Sequence, residues 1–434
     1  MNRTSRKYSL KLTPHLKGRL LLWAQQFSEV AWLDSNNYEQ GHNRYQAILA
    51  VDAFTAIKTD SDDAFNKLKE YQSLAKDWLF GYLTYDLKND VEELRSENYD
   101  GLDFPDLYFF QPKKVLLFSD NELELQYLRM VEDEMDDDLE AISQMEFLNE
   151  VHPHEDPIKI RLRTSKDSYF EKVGEMLRHI ERGDIYEANF CQEFFSENVR
   201  IDPVKTFTHL NEISSPPFAT FLKLDHLFAL SASPERYLKR YGNTVISQPI
   251  KGTAKRLEDP EEDQKMIEKL QNDPKERSEN IMITDLVRND LSRFALKGSV
   301  VVEELCKIYT FEQVHQMIST VRCAVDDALS SVEILKNTFP MGSMTGAPKV
   351  SAMKIIEHLE DAKRGLYSGA VGYFAPNNDF DFNVVIRSIL FNAQRKYVSF
   401  SVGGAITAGS VVENEYEECL LKAKAMREVL EGHG

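Results

Sequence analysis

Apolar residues along the 434-residue chain fall into two rhythms. Short runs rich in β-branched and aromatic residues predict strands at 46–51, 115–118, 218–224, 227–231, 300–302, 370–374, 384–391 and 398–402. Elsewhere apolar positions return every three or four residues, which predicts helices over 65–76, 167–182, 260–271, 276–292, 331–337, 347–358 and 413–430. The strands come in hairpin-like groups without regular strand–helix–strand alternation. This favours an α+β fold on antiparallel sheets over a doubly wound one.

One stretch interrupts the pattern. Seven acids crowd into the nine residues Glu132–Glu140, and His152-Pro153-His154 and Pro157 follow. Such a stretch reads as a solvated linker or exposed helix, and it marks a boundary between an N-terminal region, 1–150, and a C-terminal core, 160–432.

Composition narrows the function classes. Hydrophobic residues make up 42% and charged residues 28%, ordinary for a globular protein. A net charge of −19 argues against a nucleic-acid partner. A small anion bound by such a chain needs local cations, a metal or backbone amides. No segment approaches the ~20 apolar residues of a membrane span, and the run Leu20–Ala24 is too short for a signal peptide. Cys191, Cys306, Cys323 and Cys419 lack metal-site spacing, so a reduced, cytoplasmic protein is expected.

Two helices carry paired acids. Glu276 and Glu279 lie on the face of Met282, Ile283 and Leu286; Glu415 and Glu418 lie beside Tyr416, Cys419, Leu420 and Ala423. Like charges at this spacing repel unless they are solvated or share a cation. Both a solvated edge and an oxygen-ligand site for Mg²⁺ fit. The loop Phe339–Lys349 could present amides to an anion but is not a Walker A loop, since Gly342 and Gly346 are four apart and Pro348 precedes the lysine. Gly403-Gly404 follows a strand and marks either a bulge or close approach to a ligand. Arg387, ending Val384-Val385-Ile386, is either an edge residue or a carboxylate clamp, and His315 carries little signal by itself. Lys251, in Pro249-Ile250-Lys251-Gly252-Thr253, decorates a turn or aims its amine at something.

In order, the stretches Gly183–Asn189, Ser233-Pro234-Glu235-Arg236, Pro249–Thr253, Glu279–Leu291, Gly342–Ala352, Tyr367–Tyr373, Val385–Ser388 and Glu415–Glu418 resemble the motifs of the chorismate-utilising enzymes. That family includes anthranilate, aminodeoxychorismate, isochorismate and salicylate synthases. The likeness runs from about Asp167 to the end, and more loosely through the N-terminal region. It implies an α/β/β/α sandwich, two facing antiparallel sheets flanked by helices, with the active site in a deep cleft.

The resemblance also implies roles. Glu279 and Glu418 would ligate Mg²⁺, while Glu276 and Glu415 would hold its waters. Tyr367 and Arg387 would grip the enolpyruvyl carboxylate of chorismate; Gly252, Thr253, Ser343, Gly403, Gly404 and Lys422 would make further substrate contacts. His315 would stand near the C4 hydroxyl, and Glu235 would move protons to and from C4. Lysine at position 251, where anthranilate synthases carry alanine, marks the aminodeoxychorismate synthase branch. There its amine attacks C2 before ammonia enters at C4, in a route to 4-aminobenzoate and folate. At a reference pKa near 10.4 only roughly one lysine in 2,500 is neutral at pH 7; a desolvated cleft and nearby Mg²⁺ would lower that value, while the metal-binding acids oppose the shift.

The chain shows no Gly-x-Cys-x-Gly nucleophile elbow, and the resemblance implies a separate glutamine amidotransferase partner that delivers ammonia. The pyruvate-eliminating lyase is likewise expected elsewhere. Ser35, Pro217, Phe218 and Ala219 resemble stretches that line a tryptophan pocket in relatives. The rivals are an anthranilate synthase component I and a non-catalytic tryptophan-binding regulator. Two positions depart from the pattern: Glu187 stands where glutamine or lysine is common, and Ala405 where a third glycine is common.

Overall fold

The computed structural model describes residues 3–38, 43–147 and 158–432. Every pairing between its strands is antiparallel. The long strands Ala47–Thr59 and Leu107–Ser119 pair along their length and join two halves of the network. Near Ser119 the second of them pairs with Glu122–Leu128, and near Leu107 it pairs with Leu79–Leu83. One half continues through Glu29–Asp34, Phe218–Leu224, Leu227–Ser233, Ser388–Asn392, Tyr397–Thr407 and Glu187–Glu197. The other continues through Ala370–Phe374, Phe380–Val384, Arg236–Tyr241, Thr244–Gln248 and Val314–Ala324.

Side-chain alternation shows how the layers stack. Along Glu29–Asp34, Ala31 belongs to a core shared with Leu238, Val245 and Phe382 of the other half, so the two halves face each other. Val30 and Trp32 point the opposite way, into a second core built with Leu20, Met135, Phe207 and Met426 of flanking helices. Helices Ala64–Ala75, Pro274–Ser292 and Ser331–Thr338 cover the other half, through residues such as Phe65, Ile283 and Leu335. This is the expected α+β sandwich of two antiparallel sheets between helices. With both sheet faces buried, strands read as continuous apolar runs.

Strands of the N-terminal region pair directly with strands of the C-terminal core: Glu29–Asp34 with Phe218–Leu224, and Leu79–Leu83 with Ala370–Phe374. Much of the acidic stretch is helix, Met135–Gln144, and Asp138 and Glu134 each lie 2.5 Å from the buried Lys114 ammonium. His152, Pro153, His154 and Pro157 fall outside the described residues. Among the described residues no helix is long and apolar enough to cross a membrane.

One predicted strand is broken. Val384–Phe391 forms not one strand but the ends of two, Phe380–Val384 and Ser388–Asn392. Between them the backbone turns at Arg387, which has a φ of 52°. A non-glycine residue in the left-handed region is uncommon and is held there only by its surroundings. Here the turn takes Arg387 out of the ladder and into a cleft.

Candidate active site

The cleft, about 560 Å³, opens where the two halves of the strand network meet the acid-bearing helices. Its walls are the strand Ile250–Lys255, residues 401–405 of Tyr397–Thr407, the turn at Glu235, and helices Pro274–Ser292 and Val412–Glu431. Lys251, Glu235, Gly252, Thr253, Ser343, Tyr367, Arg387, Gly403, Gly404, Lys422 and the acids Glu276, Glu279, Glu415 and Glu418 all line it.

Local chemistry explains how the motifs reach this surface. Between Ile250 and Thr253 the first strand advances three residues while its partner advances two, from Ile318 to Gln316. The extra residue makes a bulge, which re-aims side chains. Gly252 sits in the bulge with φ 91°, and a Cβ there would come within 3.1 Å of Glu276 Oε2. A side chain at 252 would be both strained and crowded. Gly404 serves differently: a Cβ there would meet nothing closer than Glu415 Oε2 at 3.5 Å, so this stretch of backbone is bare toward the cleft.

Lys251 is held by an acid. Its Nζ donates to Glu187 Oε1 at 3.1 Å; Glu187 is 2% exposed, and its other oxygen is buried without a partner. Burial alone lowers the lysine's pKa, but Glu187, then Glu279 and Glu235, outweigh it, and the net direction is up. The expected lowering is therefore corrected for the free protein, because the unusual acid at 187 keeps the ammonium charged. Glu235 moves the useful way for a proton donor. Burial pushes its carboxyl up to about 7, against the opposing influence of Ser343, Lys251 and the Ile250 amide.

The paired acids face one another across the cleft. Asp273 caps its helix by accepting from the Lys275 and Glu276 amides, with Pro274 following, so Glu276 lies in the first turn and Glu279 in the second. Burial, with Glu187 and Glu276 adding to it, raises Glu279 to about 7, and one of its oxygens is buried without a partner. Lys275 lies among the acids, 3.5 Å from Glu415 and 3.9 Å from Glu279. Glu418 is more exposed and pairs with Lys422 at 2.6 Å; Lys422 also donates to the Gly403 carbonyl. Among the described residues no three acid, histidine or cysteine side chains converge closely enough to enclose an ion by themselves.

For anions the cleft offers Arg387. Among the described residues its guanidinium has no acid within ion-pair distance, and burial lowers its pKa while Tyr367 and Glu418 oppose that. Tyr367 is buried, 4% exposed, with its hydroxyl pushed up by that burial.

His315 does not reach the cleft. It is fully buried, with Nε2 2.8 Å from Asp263 Oδ1 and Nδ1 3.0 Å from Thr310 Oγ1. On the strand Val314–Ala324 its neighbours Val314 and Gln316 point into the cleft, so alternation turns His315 to the opposite face. The expected placement of a histidine at C4 is corrected, and Gln316 occupies that wall. Period-two alternation in the sequence says only that His315 and Gln316 face opposite ways.

Ser35, Pro217, Phe218 and Ala219 gather around a separate cavity of about 60 Å³. Ser35 donates to the Gln46 carbonyl, and the Arg236 guanidinium bonds Asp381 and Gln248 and lies over the Phe218 ring, whereas Gln46 Oε1, Thr220 Oγ1 and Asn383 Nδ2 in the lining are buried without a hydrogen-bond partner.

The sequence model for chorismate binding enzymes matches residues 28–428, nearly the whole chain. The chain belongs to the chorismate binding enzyme family. Two relatives in it are aminodeoxychorismate synthase component 1 of Bacillus subtilis, 30% identical over 87% of this chain and 80% of that protein, and of Klebsiella aerogenes, 39% identical over 62% of this chain. The match spans 59% of the length of the Klebsiella protein. The crystal structure of anthranilate synthase component I from Streptococcus pneumoniae shares the fold, with a TM-score of 0.77 and 24% identity over 90% of this chain and 93% of that one.

Proposed function

We propose that the chain is the chorismate-aminating subunit of an aminodeoxychorismate synthase, converting chorismate and ammonia to 4-amino-4-deoxychorismate. The observation that carries this is Lys251, which a bulge points into the cleft within reach of Glu235 electrostatically and Glu187 by direct contact. The names of the Klebsiella and Bacillus relatives support the same choice.

Arg387 and Tyr367 bind one carboxylate of chorismate and orient the ring. The neutral Lys251 amine attacks C2; the two conjugated ring double bonds shift and the C4–O bond breaks. The leaving hydroxyl takes the proton of Glu235 and departs as water. The lysine nitrogen keeps its protons as a secondary ammonium on C2. Ammonia then attacks C4, the double bonds shift back and the C2–N bond breaks. Lys251 leaves as an amine, and the Glu235 carboxylate takes a proton from the new C4 ammonium.

The four glutamates suit Mg²⁺ as a donor set. They are all oxygen ligands, Glu279 presents a buried unpartnered oxygen, and Lys275 occupies their midst as a cation. That no three converge is compatible with an ion that uses one or two carboxylates and fills its octahedron with waters and substrate. Bound there, Mg²⁺ would supply positive charge against the ring carboxylate. Glu279→Gln is expected to weaken Mg²⁺-dependent chorismate binding by roughly 10- to 100-fold or more, measured by calorimetry, with the melting temperature retained.

Glu187 should set how much of Lys251 is free to attack. Its carboxylate is the largest influence holding Lys251 protonated. Glu187→Gln is expected to raise kcat/KM at neutral pH and to move the alkaline limb, where Lys251 titrates, to lower pH; an unmoved limb would detach Lys251 from the reaction. Incorporation of ¹⁵N-ammonium into the product, with the enolpyruvyl group retained, tests the assignment as a whole. Delivery of ammonia by a separate glutamine amidotransferase fits the chain's lack of a glutaminase motif.

A further inference from the structure

A second cavity, about 190 Å³, adjoins the cleft. The two share Pro234, Thr253, Val314, Gln316 and Arg387 as walls, so they meet beside the turn that carries Glu235. The cavity's own lining is mostly apolar, with Pro216, Pro217, Phe311, Ala425 and Met426 among it, and it reaches solvent at the exposed Gln313. At the junction stands Gln316, opposite Thr253 in the strand register. Gln316 is 5% exposed, and its Oε1 is buried with no donor.

A buried carboxamide oxygen without a partner is costly, so an absent group donates to it in the working state. Gln316 lines both spaces, and a donor that arrives through the side cavity passes a space of about 190 Å³ against the cleft's 560 Å³, which favours a small one. It is also neutral while it travels, because apolar walls and the Arg387 cation at the junction disfavour a cation. Ammonia meets these conditions: it is uncharged and carries three N–H donors. We propose that this side cavity is the route by which ammonia reaches the cleft, and that the Gln316 carbonyl oxygen accepts its N–H and holds it beside Glu235 for attack on C4. The proposal rests on the aminating function argued above.

The test separates the two substrates. In steady-state assays of the full chain with ammonium chloride and chorismate, Gln316→Leu removes the acceptor at nearly constant volume, and Ala425→Leu narrows the cavity. Each is expected to raise KM for ammonia by about tenfold, the worth of one hydrogen bond or a partly closed path, while KM for chorismate stays within about twofold. An unchanged ammonia KM in both variants would overturn the proposal, as would a parallel rise of both KM values in Gln316→Leu, which would make Gln316 a chorismate contact. If Gln316→Leu fails to fold, as judged by loss of a cooperative thermal transition, Ala425→Leu alone decides. Should the unaltered protein incorporate no ammonia, the aminating function itself fails; a failure confined to the variants sinks only the route.

Discussion

Lys251→Ala is expected to abolish amination, lowering the rate on the order of 10³- to 10⁶-fold, as loss of a nucleophile does elsewhere. Chorismate should still bind, because Arg387, Tyr367 and the glutamates keep their places in the cleft. The variant also removes the partner of a buried carboxylate, Glu187, so a lower melting temperature is expected alongside. Lys251→Arg separates the two effects. Arginine restores a cation beside Glu187, yet its side chain stays protonated at any working pH and cannot attack C2. A stable, chorismate-binding and inactive Lys251→Arg protein would identify the lysine as a nucleophile. With the unaltered protein and chorismate but no ammonia, mass spectrometry should find Lys251 heavier by chorismate less one water.

Glu235→Gln comes second. Loss of a positioned general acid and base costs roughly 10²- to 10⁴-fold, and this carboxyl has no evident substitute within the turn that holds it. The pH dependence carries the sign. The leaving hydroxyl needs the protonated form, and burial sets that carboxyl at about 7, so the competent fraction of Glu235 falls as pH rises through that region. Lys251 imposes the opposite requirement, since its raised pKa demands a higher pH for a free amine. Because the acid titrates below the base, the gain in free amine and the loss of acid cancel between the two pKa values, so the rate should rise to about 7, stay level, and fall only above the pKa of Lys251. Glu235→Gln should abolish the break near 7 and leave a single rise toward the pKa of Lys251. A break near 7 that survives in Glu235→Gln would assign it to another group.

Most of the fold was legible because its elements obey local rules. The helix Pro274–Ser292 announces itself by Asp273-Pro274 and a buried face at Ile283, Val287 and Leu291. Phe218–Leu224 and Ala370–Phe374 lie where their apolar runs predict. What local rules missed were the places where the site bends them. Val384–Phe391 reads as one strand because nothing in Val385-Ile386-Arg387 signals a turn; the break depends on Arg387 being held with positive φ by its surroundings. His315 and Gln316 are adjacent polar residues in a strand, and only the pairing of that strand with Ile250–Lys255 decides which of them faces the cleft. The charge state of Lys251 was equally hidden. Glu187 is 64 positions away in sequence, and its contact with Lys251 arises only through the fold.

The central claim is that Lys251 directs ammonia to C4 of chorismate, and product identity tests it most directly. The purified chain would be incubated with chorismate, Mg²⁺ and ammonium at mildly alkaline pH, and the products separated by liquid chromatography with mass detection. An aminated product that retains the enolpyruvyl group, formed only with Mg²⁺ and lost in Lys251→Ala, is the expected result. Anthranilate and pyruvate, formed equally well by Lys251→Ala, would contradict it.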